Sequence, residues 1–230
     1  MKLIKKIIKN TWLGDLLKSI LKRRNKHKEG FPGSAQYWER RYQHNRTASG
    51  SGSYGRLANF KAYILNNFVI SHEINTVIEY GTGDGNQLSL ANYPNYIGFD
   101  VSKTAVAICI ERFKNDTTKS FYLSDDPKCD SSKAELTLSL DVLYHLIEDS
   151  VFDTYMNKLF NAAERFVIIY SSNYESHFAP HVKCREFTSW IAKNQNQNWA
   201  LEKMIKNPYP FDEKDPDNTS IADFYIYKKR

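Results

Sequence analysis

Three hydrophobic periods alternate along this chain, and their order predicts the architecture. Residues 1–28 place Leu3, Ile4, Ile7, Ile8, Trp12, Leu13, Leu16, Leu17, Ile20 and Leu21 mainly three and four apart, with lysines and arginines between them, which predicts a basic amphipathic helix that Gly14 could divide. Lys26–Gly33 is polar, contains Gly30, Pro32 and Gly33, and reads as a linker. Residues 34–42 mix aromatic and cationic side chains at helical spacing. The Ser/Gly run 47–55 follows, as a linker or a mobile lid. A helix over 56–71 carries the stripe Leu57, Phe60, Ile64, Leu65 and Phe68.

Short apolar runs then alternate with helical stretches. Strands are predicted at 75–80, 96–100, 119–123, 133–140 and 165–170. Between them come a short helix at 87–91, a helix capped by Ser102 with Ala105, Val106, Cys109 and Ile110 inward, and a helix faced by Phe152, Tyr155, Met156, Leu159 and Phe160. Glu148 and Asp149 are read as the cap of that last helix. A polar aromatic loop over 171–181, a helix at 185–193 and strands at 199–206 and 220–227 complete the chain. Repeated β–α order predicts a doubly wound, mostly parallel sheet with helices on both faces.

Charge changes this picture only when it is divided. The formal net charge of +6 comes from residues 1–30, where ten Lys/Arg face only Asp15 and Glu29. The rest of the chain, with 22 basic and 24 acidic residues, is near neutral and lacks the basic stripe that nucleic acid requires, so nucleic acid is not expected as a partner. Cys109, Cys129 and Cys184 are scattered, without disulfide or metal-knuckle spacing, which suits a reducing compartment. Residues 1–33 are therefore expected to be an extension and linker, and 34–230 one catalytic domain whose first 22 residues form a cap.

The candidate chemistry starts at Thr76–Asn86, a strand followed by Gly81, Gly83 and Gly85. Glycine permits positive φ and close ligand approach, and a turn at the end of the first strand of an open α/β sheet is the usual nucleotide crevice. A dinucleotide site needs Gly-x-Gly-x-x-Gly, one residue longer, and Glu79 before the first glycine would repel phosphates while suiting a cation. Asp100 ends the second strand, 19 residues after Gly81, where a carboxylate can accept both hydroxyls of a ribose. A glycine turn without a ligand is the bland alternative.

Glu-x-Gly-x-Gly-x-Gly resembles the cofactor loop of class I S-adenosylmethionine-dependent methyltransferases, and the resemblance extends over roughly residues 35–230. It implies a seven-stranded sheet with an antiparallel last strand, and S-adenosylmethionine as cofactor. It also implies that Tyr37-Trp38-x-x-Arg41-Tyr42 closes over that cofactor, with Tyr37 and Trp38 stacking on purine or sulfonium and Arg41 reaching the methionine carboxylate. Val101 would cover an adenine face, and Asp125, or else Asp126, would bond the adenine amino group. Asp141–Leu146 would place an acid, an aromatic and a histidine before the transferred methyl. Packing of an ordinary cap helix is the plain alternative for 34–42.

A hydroxyl acceptor needs a base, and His145, His177 and His181 are the candidates, His145 first; Asp141 would fix a tautomer or hold substrate. Arg56 and Lys61 are candidate anion contacts. No metal is expected, because the three histidines lack a cluster of acids. The basic extension, aromatic and without a run long enough to span a bilayer, predicts a cytoplasmic enzyme lying on the inner face of an anionic membrane, against the alternative of a helix packed on the domain or on a second subunit. The resemblance to methyltransferases of bacterial surface polysaccharide synthesis points to a sugar hydroxyl or terminal phosphate of a glycan as acceptor. An inactive membrane-associated scaffold and a small-molecule methyltransferase outside glycan synthesis are the competing readings. A homo-oligomer is possible.

Overall fold

The β–α alternation closes into one sheet because its central strands bury both of their faces. In the computed structural model, which describes residues 31–45 and 49–230, the strands are β1 (Thr76–Tyr80), β2 (Asn95–Asp100), β3 (Lys119–Leu123), β4 (Ala134–Leu140), β5 (Ala163–Ser171), β8 (Trp199–Ile205) and β9 (Asp223–Lys229). Their order is β3-β2-β1-β4-β5-β9-β8. The first five are parallel, while β9 runs antiparallel to β5 and β8 to β9. This is the doubly wound sheet expected. A separate hairpin, β6 (Ser176–Ala179) with β7 (Val182–Cys184), lies where the sequence predicts only a loop.

The helices are α1 (Ser34–His44), α2 (Gly55–Ser71), α3 (Lys103–Arg112), α4 (Lys128–Ser131), α5 (Asp149–Ala162) and α6 (Phe187–Asn194). One core layer joins Leu65, Phe68 and Val69 of α2 and Val106 and Cys109 of α3 to Val77, Leu136, Leu138 and Ile168. The other joins Met156, Leu159 and Phe160 of α5 and Phe187 and Ile191 of α6 to Ile78, Val167 and Ile169. Alternate residues of one strand thus feed opposite layers, as a two-sided sheet requires.

Two expectations change. The short helix at 87–91 is a single 3-10 turn, Leu88–Leu90. On α3, Ile108 is buried while Ile110 is 53% exposed, because the buried face follows Ala105, Val106, Ile108 and Cys109. Ser102 caps that helix as foreseen, its Oγ accepting from the Ala105 amide. Gly33–Arg230 forms one compact unit, and the amphipathic pattern of residues 1–28 lies outside the described residues. Among the described residues no helix is long and apolar enough to cross a membrane.

Leu138→Ala, at the centre of the first layer, should cost about 2–5 kcal/mol in urea denaturation, whereas Ile110→Ala should stay within about 0.5 kcal/mol. Equal losses at both positions would contradict the packing of α3.

Candidate active site

Strand order reverses between β1 and β4, and the carboxyl ends of these strands are where an open α/β sheet places its ligand crevice. The turn after β1 lies there. Gly81, Gly83 and Gly85 all have positive φ, at 88°, 62° and 74°. A Cβ on Gly81 would stand 2.5 Å from Val142 of the post-β4 turn, and one on Gly83 2.5 Å from Ser49 Oγ. Glycine is therefore required twice over, by backbone and by space.

Asp100 holds this turn from beneath. Only 6% exposed, it accepts 2.9 Å bonds from the amides of Gly83 and Ser102. Burial nevertheless pushes its carboxyl up to about 6. Its folded pKa lies above its ordinary 3.8, so this group lowers the stability of the ligand-free chain as pH rises through about 6. Glu79 sits under the turn rather than in its mouth. It accepts 2.7 Å from Tyr96 Oη, whose hydroxyl also meets Thr82 Oγ1, and burial lifts its carboxyl to about 7. Cys109 is the buried core thiol expected, pushed up to about 12 by burial, its Sγ on the Gly83 carbonyl.

Helix α1 spans the mouth, anchored on both sides. Glu39 accepts from Ser102 Oγ (2.6 Å), Thr104 Oγ1 (2.8 Å) and the Thr104 amide (3.2 Å), a carboxylate on the start of α3. At its other end, the Ser34 amide and hydroxyl donate to Glu148 at 2.9 and 2.6 Å. Glu148 and Asp149 are thus not simple caps of α5: the first fastens α1, and the second pairs with Lys183 and Arg185 of the hairpin segment. Between these anchors Trp38 packs on Tyr42, and the Arg41 guanidinium lies 5.1 Å over the Trp38 ring and bonds Tyr37 Oη. The segment from Ser49 onward closes on the same turn. Ser49 Oγ accepts from the Asp84 amide, Tyr54 Oη donates to Asp84, and Asn86 Nδ2 donates to the Ser53 carbonyl.

The post-β4 turn forms the other wall. Asp141 is left-handed (φ 61°), which breaks the strand alternation and lets its carboxylate reach Lys61 of α2 at 2.5 Å; Tyr144 Oη donates to its other oxygen at 2.7 Å. Lys61 is 1% exposed, with its ammonium 5.3 Å from the Tyr170 ring centroid. Asp141 therefore does not orient His145. The imidazole Nδ1 instead meets the His181 carbonyl at 2.9 Å, and a carbonyl only accepts, so Nδ1 carries the proton and Nε2 the lone pair. Burial holds His145 down at about 4, and the same cause, with the nearby Arg41 charge, lowers His181.

Sequence-predicted residues thus converge in part. Trp38 lies edge-on to His145 at 4.8 Å, and Tyr37 stacks on His181 at 4.8 Å. His177 is exposed on β6, paired in register with Lys183, and is not in this cluster. Arg56 is turned to the carboxyl-terminal loop, bonding the Asn218 carbonyl and Asp215. Val101 is 45% exposed at the crevice rim. Asp125 is exposed on the turn after β3, whereas Asp126 is engaged with the Lys128 amide. Glu39, Glu148 and Ser49 were missed: a lone acid or serine in a helix or loop carries no signal until its partner, more than 30 residues away, is known. Among the described residues, no group of three or more His, Cys, Asp or Glu is placed to hold a metal ion.

No family model matches the chain, and no curated protein matches it. Solved structures do. Magnesium protoporphyrin IX methyltransferase from Synechocystis PCC 6803, with bound SAM, superposes with a TM-score of 0.65 at 11% identity, over 86% of this chain and 97% of that one. The N-methyltransferase NodS from Bradyrhizobium japonicum WM9, in complex with S-adenosyl-L-homocysteine, gives 0.63 at 14% over 86% and 98%. The methyltransferase domain of bacterial CtHen1 gives 0.58 at 19% over 74% and 99%. The chain has the fold these methyltransferases share.

Removing Lys61 should strand the Asp141 charge. Lys61→Met should lower stability by about 3–5 kcal/mol, and Asp141→Asn added to it should recover part of that loss in a double-mutant denaturation cycle. Additive losses would mean that the pair is not coupled.

Proposed function

We propose that this chain is an S-adenosylmethionine-dependent methyltransferase. The observation that carries the reading is the three-glycine turn at the strand-order reversal, with a buried ribose-type carboxylate, Asp100, below it and the Tyr37-Trp38-Arg41 face of α1 beside it. The fold shared with methyltransferases, two of them bound to SAM or S-adenosylhomocysteine, supports it. The residues fit the cofactor: positive-φ glycines let a ligand approach main chain that carries no Cβ, Asp100 keeps acceptor capacity beyond its bonds to the Gly83 and Ser102 amides, and aromatic faces suit a cation. Gly81, Gly83, Gly85, Asp100, Val101, Asp125, Tyr37, Trp38 and Arg41 would hold it, with Glu79 shaping the turn from behind. S-adenosylmethionine, when bound, supplies an electrophilic methyl carbon on sulfur.

The chain's own part is positioning and proton transfer. The cap, the Ser49–Tyr54 segment and Val142 surround the turn and exclude water. His145 is the base for a hydroxyl acceptor, taking its proton at Nε2 while Nδ1–H stays on the His181 carbonyl. Its burial keeps it neutral through the working range. Asp141, already paired with Lys61 and Tyr144, braces the wall.

For the acceptor, we favour a sugar hydroxyl or a terminal phosphate of a cell-surface glycan or its precursor. The basic 1–28 segment supports work at the inner face of an anionic membrane, and His181 with Arg41 offers donors to an anionic end group.

Calorimetry with S-adenosylhomocysteine should detect binding that is lost in Asp100→Ala. Because a ribose prefers the ionised carboxylate, affinity should fall about tenfold per pH unit below about 6 and level off above it. No binding to the unaltered chain would reject the enzyme reading. With nucleotide sugars and glycan fragments as acceptors, His145→Ala should lower kcat by about 10²–10⁴ for hydroxyl transfer; unchanged turnover would remove it as the base. Replacing Lys2, Lys5, Lys6 and Lys9 with glutamine should sharply reduce co-sedimentation with phosphatidylserine vesicles, each charge contributing about 1 kcal/mol. Retained binding would reject the extension as the anchor.

A further inference from the structure

One residue, Ser102, links the cap helix to the buried carboxylate at the end of β2. Ser102 Oγ donates to Glu39 Oε2 at 2.6 Å while the Ser102 amide donates to Asp100 Oδ1 at 2.9 Å. Asp100 Oδ2 in turn accepts from the Gly83 amide at 2.9 Å. A continuous path thus runs from α1 through the first turn of α3 to the glycine turn. Helix α1 also bears Tyr37, Trp38 and Arg41, so whatever fixes α1 fixes that face.

We propose that Glu39 and Ser102 are positioning residues that couple the cap helix to Asp100, so that closing the cap and gripping the methyl donor are one event. The inference rests on the donor reading and deepens it. Four hydrogen bonds concentrate on Glu39: one from Gln43 of α1 itself, and three from Ser102 and Thr104 at the start of α3. Glu39 is also a like charge close enough to disfavour ionisation of Asp100. The other titratable groups around Asp100 are Tyr42 on α1, Cys109 on α3, Glu79 on β1 and Tyr155 on α5, with Asp84 sharing Tyr42 and Cys109 as neighbours. Of the acids among them, Glu39 alone belongs to the cap.

The test uses the full chain and two substitutions, Glu39→Gln and Glu39→Ala. Titration of the Asp100 carboxyl by carbon-13 NMR, without ligand, should move to lower pH by about 0.5 unit in both variants, since a negative charge has gone. The pH midpoint of S-adenosylhomocysteine affinity should move with it. At pH 8, where Asp100 is ionised in every variant, Glu39→Ala should bind about tenfold more weakly and Glu39→Gln, which keeps one acceptor, should recover part of that loss. An unmoved Asp100 midpoint overturns the coupling, whether or not the variants melt earlier. If the midpoint moves but the unaltered chain binds no S-adenosylhomocysteine, the donor reading fails, and the coupling to donor binding falls with it.

Discussion

A carboxylate removed from water sets the terms for this site. Asp100 ends β2 with almost no solvent contact, and two backbone amides only partly offset the loss of hydration, which is why its pKa stands well above the ordinary range. Those same two amides belong to the glycine turn and to the start of α3. One side chain therefore fixes the spacing between the two segments that line the crevice. The arrangement is held at the cost of keeping that carboxyl from water, a cost that grows as it ionises.

The surrounding parts can be read as consequences. With Glu79 on β1 and Asp100 on β2 both buried, negative charge accumulates behind the glycines, and Asp100 adds to the rise of the Glu79 pKa. Lys61 is the counterweight. It lies between these acids and the post-β4 wall, lowers the Glu79 pKa, and spends its one close ion pair on Asp141. That pairing requires the left-handed backbone at Asp141, an unfavourable conformation for a residue with a Cβ, and it persists because Lys61 and Tyr144 hold the carboxylate from two sides. The wall that carries His145 is set by the charge balance beneath the turn.

How much of this was legible in the sequence depended on range. The strands were readable because two-sided burial leaves an uninterrupted apolar run, as in Phe166–Tyr170, and the turn because three alternating glycines after a strand have few other uses. Ser102 was readable as a cap, a local bond three residues long. Failures came where a residue's role was set by a distant partner. Ile110 looked inward from helical spacing, but the angle of α3 against the sheet favoured Ile108. Arg56 and Lys61 looked equivalent, five residues apart on one helix; one faces the carboxyl-terminal loop and the other is buried against Asp141. The hairpin over 176–184 was hidden because Pro180 and exposed aromatics on short strands give no period to detect.

That last omission bears on the site, because the hairpin determines which tautomer His145 holds. An imidazole at the end of β4 without the His181 carbonyl would be free to take either tautomer, and its lone pair could lie on either nitrogen. The hairpin removes that freedom by putting an acceptor on Nδ1, and its fastening through Lys183 and Arg185 to Asp149 keeps the acceptor in register. Asp149 is held near 2 by those two cations, so this fastening persists across the range in which the imidazole is neutral. A backbone carbonyl fixes the tautomer without adding a full negative charge, which would raise the imidazole pKa and leave it protonated more of the time. A carbonyl in place of a carboxylate lets a half-buried, unprotonated histidine stand in a fold that already holds two buried acids.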